Sequence, residues 1–198
     1  MHWYEEDIKQ LEKRALPQGY VPETIFYGSS SIRMWASLYD DLKELKPLNL
    51  GFGGSTLEAC VWFFDRVMQP YNPKRLIVYA GDNDLGDGRN PEQVLTYFKQ
   101  LAALVQQRFG DIPCYFISLK PSIARYLIID KFKHANSLIE NEILKTQNNW
   151  QFIDVFKYMV DEMGHPKKEY YQADGLHLTP AGYELWKEVI EGYITVNH

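Results

Sequence analysis

Three observations predict an α/β fold with a parallel sheet covered by helices on both faces. Five short apolar runs recur along the chain: TIFY (24–27), PLNL (47–50), RLIVYA (75–80), CYFISL (114–119) and WQFIDV (150–155). Segments of helical spacing lie between them. The third and fourth runs are apolar almost throughout, as expected of strands buried on both sides. Strands alternating with helices form parallel sheets, because each crossover carries the chain back over a face of the sheet.

Helical spacing marks residues 32–42, 57–68, 91–109, 128–146 and 180–194. In the third of these, Val94, Leu95, Phe98, Leu101, Ala102 and Val105 form one apolar stripe. Asn90 is placed to cap that helix, Pro91 suits its first position, and Gly110 is a suitable stop. Residues 1–20 read as a helix packed onto the rest, and the whole of 1–198 as a single domain. Loops are expected at 120–130 and 164–179. Repeats, low-complexity tracts and linkers are absent from the sequence.

The 198 residues are 45% hydrophobic and 15% aromatic, enough for one substantial core. Lys and Arg total 21 against 26 Asp and Glu, a formal charge of -5 without a basic block, which argues against nucleic acid or an anionic membrane as partner. Cys60 and Cys114 stand in unrelated contexts, so two buried thiols are expected rather than a disulfide framework or zinc site. The first residues are charged and lack the apolar core of a signal peptide, and no apolar run approaches the roughly 20 residues that span a bilayer. A soluble, cytoplasmic chain is expected.

In open α/β sheets ligands bind beyond the carboxyl ends of the strands. Every unusual polar cluster falls there: GSSS (28–31), GFGGST (51–56), GDND (81–84), KPSIAR (120–125) and DGLHLTPAGY (174–183). The triple serine reads either as a polar turn with a helix cap or as the site of a nucleophile. A serine esterase needs a hydroxyl at a strand end, a histidine base, an orienting acid and oxyanion donors. Of five histidines, His2 and His198 are terminal, His134 lies in a helical pattern and His165 in a GHPKK turn. His177 remains, with Asp174 three residues before it. That spacing lets a carboxylate reach Nδ1 while Nε2 faces outward. The pair reads equally as a solvated loop or two metal ligands, although no third or fourth ligand at matching spacing is evident. Thr179 and Pro180 form a helix start that would anchor the loop. Gly54 can present a backbone N–H, or serve as a flexible turn. Asn83 can donate from its amide, or close an Asx-turn. Asp82 and Asp84 are expected to hold their turn.

The segments GSSSI, GFGGST, GDND and DGLH resemble, in order and interval, the four sequence blocks of the SGNH (GDSL) hydrolases, over about residues 25–186. The resemblance implies a three-layer α/β/α sandwich with a five-stranded parallel sheet. It also implies Ser30 as nucleophile, Asp174 and His177 as its partners, and the N–H groups of Ser30 and Gly54 with the Asn83 amide as oxyanion hole. Ser29 replaces the aspartate of G-D-S, so the choice among the serines rests on register from Gly28. The stretch is also similar to platelet-activating-factor acetylhydrolase and carbohydrate acetylesterase subgroups, which implies short acyl groups, on a carbohydrate or lipid.

The expected activity is therefore hydrolysis of a small-molecule carboxylic ester through an acyl-enzyme, without cofactor or metal. Lys120 and Arg125 are candidates to bind an anionic or sugar part of the substrate, or else solvated charges. Trp35 is a candidate for sugar stacking or for the core. The alternative function is a non-catalytic phosphate-, flavin- or carbohydrate-binding module of flavodoxin-like architecture, with GSSS cradling phosphate.

Overall fold

A computed structural model describes residues 1–146 and 148–195. His198, and with it the end of the expected 1–198 domain, lies outside the described residues. The apolar runs form β1 (Thr24–Gly28), β2 (Pro47–Gly51), β3 (Arg75–Tyr79), β4 (Cys114–Ile117) and β5 (Trp150–Ile153). All pair in parallel, in the order β2-β1-β3-β4-β5. The chain steps from β1 outward to β2 and then returns past β1 to β3. Loops leaving β1 and β3 therefore diverge, which opens a crevice at the carboxyl ends of the sheet's centre.

Strand alternation divides the core in two. Ile25, Tyr27, Leu76 and Val78 face one side, whereas Phe26, Ile77 and Tyr79 face the other. The helices are α1 (Glu5–Glu12), α2 (Ser30–Arg33), α3 (Leu38–Asp41), α4 (Leu57–Met68), α5 (Asp82–Gly86), α6 (Pro91–Phe109), α7 (Ile129–Thr146) and α8 (Pro180–Thr195). The first side is covered through Ile8 of α1, Phe63 of α4, Phe98 of α6 and Phe132 of α7. The second is covered through Ile32 of α2, Leu38 of α3 and Trp186 of α8. This is the expected sandwich. The cap of α6 is also as expected: Asn90 and Gln93 form a reciprocal capping box, and the helix stops at Gly110.

Three expectations need correction. The helix predicted at 32–42 is two short ones, α2 and α3, because Trp35 turns into the core between them. It is 1% exposed, stacks on Tyr183 at 5.2 Å and donates to Asp41 Oδ2 at 2.7 Å. Apolar spacings of three and four suit successive turns as well as one helix. Within residues 1–20 only Glu5–Glu12 is α-helical, after a 3-10 turn at His2–Tyr4; the chain then turns at Pro17 to Tyr20, with Gly19 at φ +80°. The GDND segment, read as a turn, opens α5. The edge of β2 is closed by side chains: Tyr39 accepts from the Asn49 N–H, while Arg14 and Tyr20 donate to the Asn49 and Pro47 carbonyls. Among the described residues no helix is long and apolar enough to cross a membrane.

Candidate active site

The site begins where β1 ends. Gly28 has φ +140°, and a Cβ there would lie 1.9 Å from the Tyr79 carbonyl oxygen of β3, so the strand end is open to glycine alone. The chain then turns sharply. Ser29 donates its N–H to that same oxygen at 2.9 Å, and its own carbonyl accepts from Ile32 and Arg33 at 3.0 and 3.1 Å. Ser29 is thus the backbone cap of α2 and is 0% exposed. Ser31 is 2% exposed, and its carbonyl accepts from the Tyr183 hydroxyl of α8 at 2.9 Å. Ser30, first residue of α2, is half-buried and open to solvent. Its N–H is one of the orphan donors of a helix start and has no intramolecular partner among the described residues.

The loop after β2 is fastened to its neighbours at successive peptides. The Phe52 N–H donates to the Gly28 carbonyl at 2.9 Å, and the Gly53 N–H to Asp7 Oδ2 of α1 at 3.1 Å. Gly54 is exposed, at φ +63°, and its carbonyl accepts from the Tyr4 hydroxyl at 3.0 Å. Its N–H has no intramolecular partner among the described residues. Thr56 then caps α4 by accepting from the Ala59 N–H.

Beyond β3, the side chain of Asn83 is held from both ends. Nδ2 donates to the Ser55 carbonyl at 3.0 Å, and Oδ1 accepts from Arg125 Nη2 at 2.8 Å. Arg125 supplies donors only, so it fixes which end of the amide is which. One Nδ2 hydrogen remains for a second acceptor. Asp84, on the same short helix, is 0% exposed and accepts from the Leu57 N–H at 2.6 Å, placing a carboxylate at the amino end of α4. Burial raises its pKa to about 6, against the pull of that N–H bond.

Lys120 and Arg125 depart from the expectation that they bind substrate or stand as solvated charges. Lys120 is 1% exposed, with Nζ 3.6 Å from Asp82 Oδ2. Burial lowers its pKa and Asp82 opposes that shift. Such a buried cation has no face for substrate. Arg125 reaches over Gly86 and spends its guanidinium on the Asp82 carbonyl at 2.9 Å, on the Asp82 carboxylate at 3.5 Å and on Asn83. Asp82 also accepts from its neighbour's N–H at 3.0 Å and from the Tyr79 hydroxyl at 3.2 Å. Trp35 is in the core.

Asp174 and His177 are joined as expected. The carboxylate divides its oxygens: Oδ1 accepts from the Leu176 and His177 N–H groups at 2.9 and 3.0 Å, and Oδ2 lies 2.6 Å from His177 Nδ1. The bond to the ring, then those to the backbone, hold the Asp174 pKa down to about 2. A bridge between Tyr171 and Leu178 closes the base of the loop, and Thr179 caps α8 by accepting from the Gly182 N–H. The loop is tied to its neighbour by the Ala124 N–H donating to the Gly175 carbonyl at 3.0 Å. The contacts are continuous: α8 holds Ser31, the Asp174 loop holds residue 124, Arg125 holds Asn83, and Asn83 holds Ser55 beside Gly54. An ionised carboxylate, an imidazole with Nε2 free of that carboxylate, a hydroxyl at a helix start and two N–H groups unpaired among the described residues therefore belong to one rim. Sequence reasoning missed the contributions of Tyr4 and Asp7, for which no local signal exists. It also missed the reach of Asp84 to α4, signalled only by an acid in an apolar context.

The sequence model of the GDSL-like Lipase/Acylhydrolase family matches residues 16–185. No curated protein matches the chain. Among solved structures, the fold is similar to a Streptococcus pneumonia protein provisionally described as a platelet activating factor (20% identity, TM-score 0.83, covering 97% of this chain and 91% of that one). A GDSL-like lipase from Bacteroides thetaiotaomicron is also similar (21% identity, TM-score 0.75, 98% of each chain). So is the psychrotrophic esterase EstA from a Pseudoalteromonas species (17% identity, TM-score 0.67, 89% of this chain and all of that one). The chain belongs to the GDSL-like lipase/acylhydrolase family and is a carboxylic ester hydrolase.

Proposed function

We propose that the chain is a serine esterase acting through a covalent acyl-enzyme on Ser30. The observation that carries this reading is the difference among the three serines: Ser29 and Ser31 are buried, while Ser30 is open at the amino end of α2. His177 Nε2 takes the Ser30 proton as Oγ attacks the ester carbonyl. Asp174 Oδ2 holds the Nδ1 proton, which fixes the tautomer and stabilises the imidazolium. The N–H groups of Ser30 and Gly54 and the Asn83 amide receive the charge that develops on the carbonyl oxygen. The imidazolium then protonates the departing alcohol, and water repeats the attack with His177 as base. The binding-module alternative leaves the Asp174–His177 pair without a task.

Short acyl groups, acetyl foremost, carried on a carbohydrate or lipid alcohol, are the proposed substrates. The support is the likeness to acetylhydrolase and acetylesterase subgroups. Labelling with a fluorophosphonate followed by peptide mapping tests the nucleophile: an adduct on Ser30 is expected, and one on Ser29 or Ser31 would show the register wrong. Ser30→Ala should lower kcat by about 10⁶-fold. A series of p-nitrophenyl esters tests acyl length, with kcat/KM expected to fall from acetyl to octanoyl.

A further inference from the structure

We propose that the amino-terminal turn and α1 are a positioning element for the Gly54 oxyanion donor, with Tyr4 and Asp7 as the positioning residues. The inference rests on the role given above to Gly54. The donor N–H belongs to the peptide joining Gly53 to Gly54. Asp7 Oδ2 holds the N–H of the preceding peptide at 3.1 Å, and the Tyr4 hydroxyl holds the carbonyl of the following one at 3.0 Å. The donor peptide is thus bracketed on both sides by groups of one element.

Local sequence cannot supply that restraint. Two successive glycines have the widest backbone freedom of any pair, and fixing one backbone residue costs about 1–2 kcal/mol. A Cβ on Gly54 would meet nothing within 4 Å, so no packing confines it. The fixed points in the rest of the fold are Phe52 on one side, through Gly28, and Ser55 on the other, through Asn83. Between them the amino-terminal turn and α1 do the holding, helped by the Arg33 guanidinium, whose Cζ would lie 3.2 Å from a Cβ on Gly53.

The clamp is itself rigid. Tyr4 is 5% exposed and packs edge-on against Phe52 and Phe63 at 5.5 and 6.3 Å. Ile8 and Leu11 are buried in the core, and Arg66 of α4 grips Glu5 and Glu12 at 3.0 and 2.8 Å. The family match begins at residue 16, so α1 lies outside the matched segment. An element beyond the family pattern then sets the geometry of a donor within it.

Kinetics of the full chain on p-nitrophenyl acetate test the clamp. Tyr4→Phe removes one hydroxyl and keeps the ring. Asp7→Ala removes the other contact, and Asp7→Asn keeps an oxygen that accepts from Gly53. Because a displacement of about 1 Å at a catalytic group can cost ~10²-fold, each of the first two changes is expected to lower kcat about tenfold and the pair about a hundredfold. KM should stay within about twofold, and Asp7→Asn should restore most of the rate. If the double variant does not fold, the single variants decide. Wild-type kcat in the folded double variant, or in both singles, overturns the clamp while Ser30→Ala remains inactive. So does a loss carried by KM, or one that Asp7→Asn fails to recover. An inactive wild type, or an active Ser30→Ala, overturns the esterase assignment on which the inference rests.

Discussion

Replacing Gly28 by alanine tests whether the nucleophile turn depends on the close approach of β1 to β3. The added Cβ would stand 1.9 Å from the Tyr79 carbonyl oxygen and 2.6 Å from its carbon, whereas real Cβ contacts stay beyond 3.0 Å. The strands must therefore separate by about 1 Å or more at this point, the same point where Ser29 donates to Tyr79 and Gly28 pairs with it in register. Backbone strain at φ +140° costs about 1–2 kcal/mol, overpacking about 1–3 and the weakened hydrogen bond about 1, together roughly 3–6 kcal/mol. For a chain of this size each kcal/mol lowers Tm by about 2–4 °C. A fall of about 6–24 °C is expected by thermal unfolding, with a parallel loss of esterase rate as Ser30 shifts. Gly19→Ala is the matched control, since Gly19 also has positive φ, +80°, but nothing lies within 4 Å of its Cβ position. It should lose only the strain contribution. Equal Tm values for the two variants, within about 2 °C, would refute the steric argument.

Two further predictions follow from the carboxylates. Asp174→Asn preserves an oxygen for the Leu176 and His177 N–H groups but turns an amide donor toward Nδ1, which favours the tautomer protonated on Nε2. kcat should fall by about 10⁴-fold with Tm nearly unchanged; a loss below about tenfold would show that Asp174 does not orient the base. Asp84 has a folded pKa of about 6, above its unfolded value of about 3.9. Its contribution to stability is therefore full below about pH 4 and lost as pH rises through about 6. Urea unfolding at pH 4 and pH 7 should show the wild type losing up to about 3 kcal/mol relative to Asp84→Asn, which still accepts from Leu57. Parallel pH profiles for the two proteins would exclude the burial argument.

All five strands were legible in the chain to within two residues, as were α4, α6, α7 and α8. Their signals are local: apolar runs, a stripe repeating every third and fourth residue, Asn90 with Pro91, and Thr179 with Pro180. The site's ingredients were legible too, because three short polar segments stand at strand ends and a fourth leads into α8, in a recognisable order. Tertiary structure alone decided what those groups touch. Ser29, Ser30 and Ser31 are identical as residues, and only the packing of β3 and α8 buries the outer two. Lys120 and Arg125 read as exposed cations, and only the meeting of the loops after β3 and β4 turns them toward Asp82 and Asn83. The helix predicted at 32–42 breaks because Trp35 finds Tyr183, which lies far away in sequence. The contacts of Tyr4 and Asp7 with the Gly53–Gly54 loop likewise join segments about fifty residues apart. Local pattern is set by backbone geometry and by each side chain's preference for water or core. A polar group's burial and choice of partner depend on which distant segment packs against it, and that is determined only when the chain has folded.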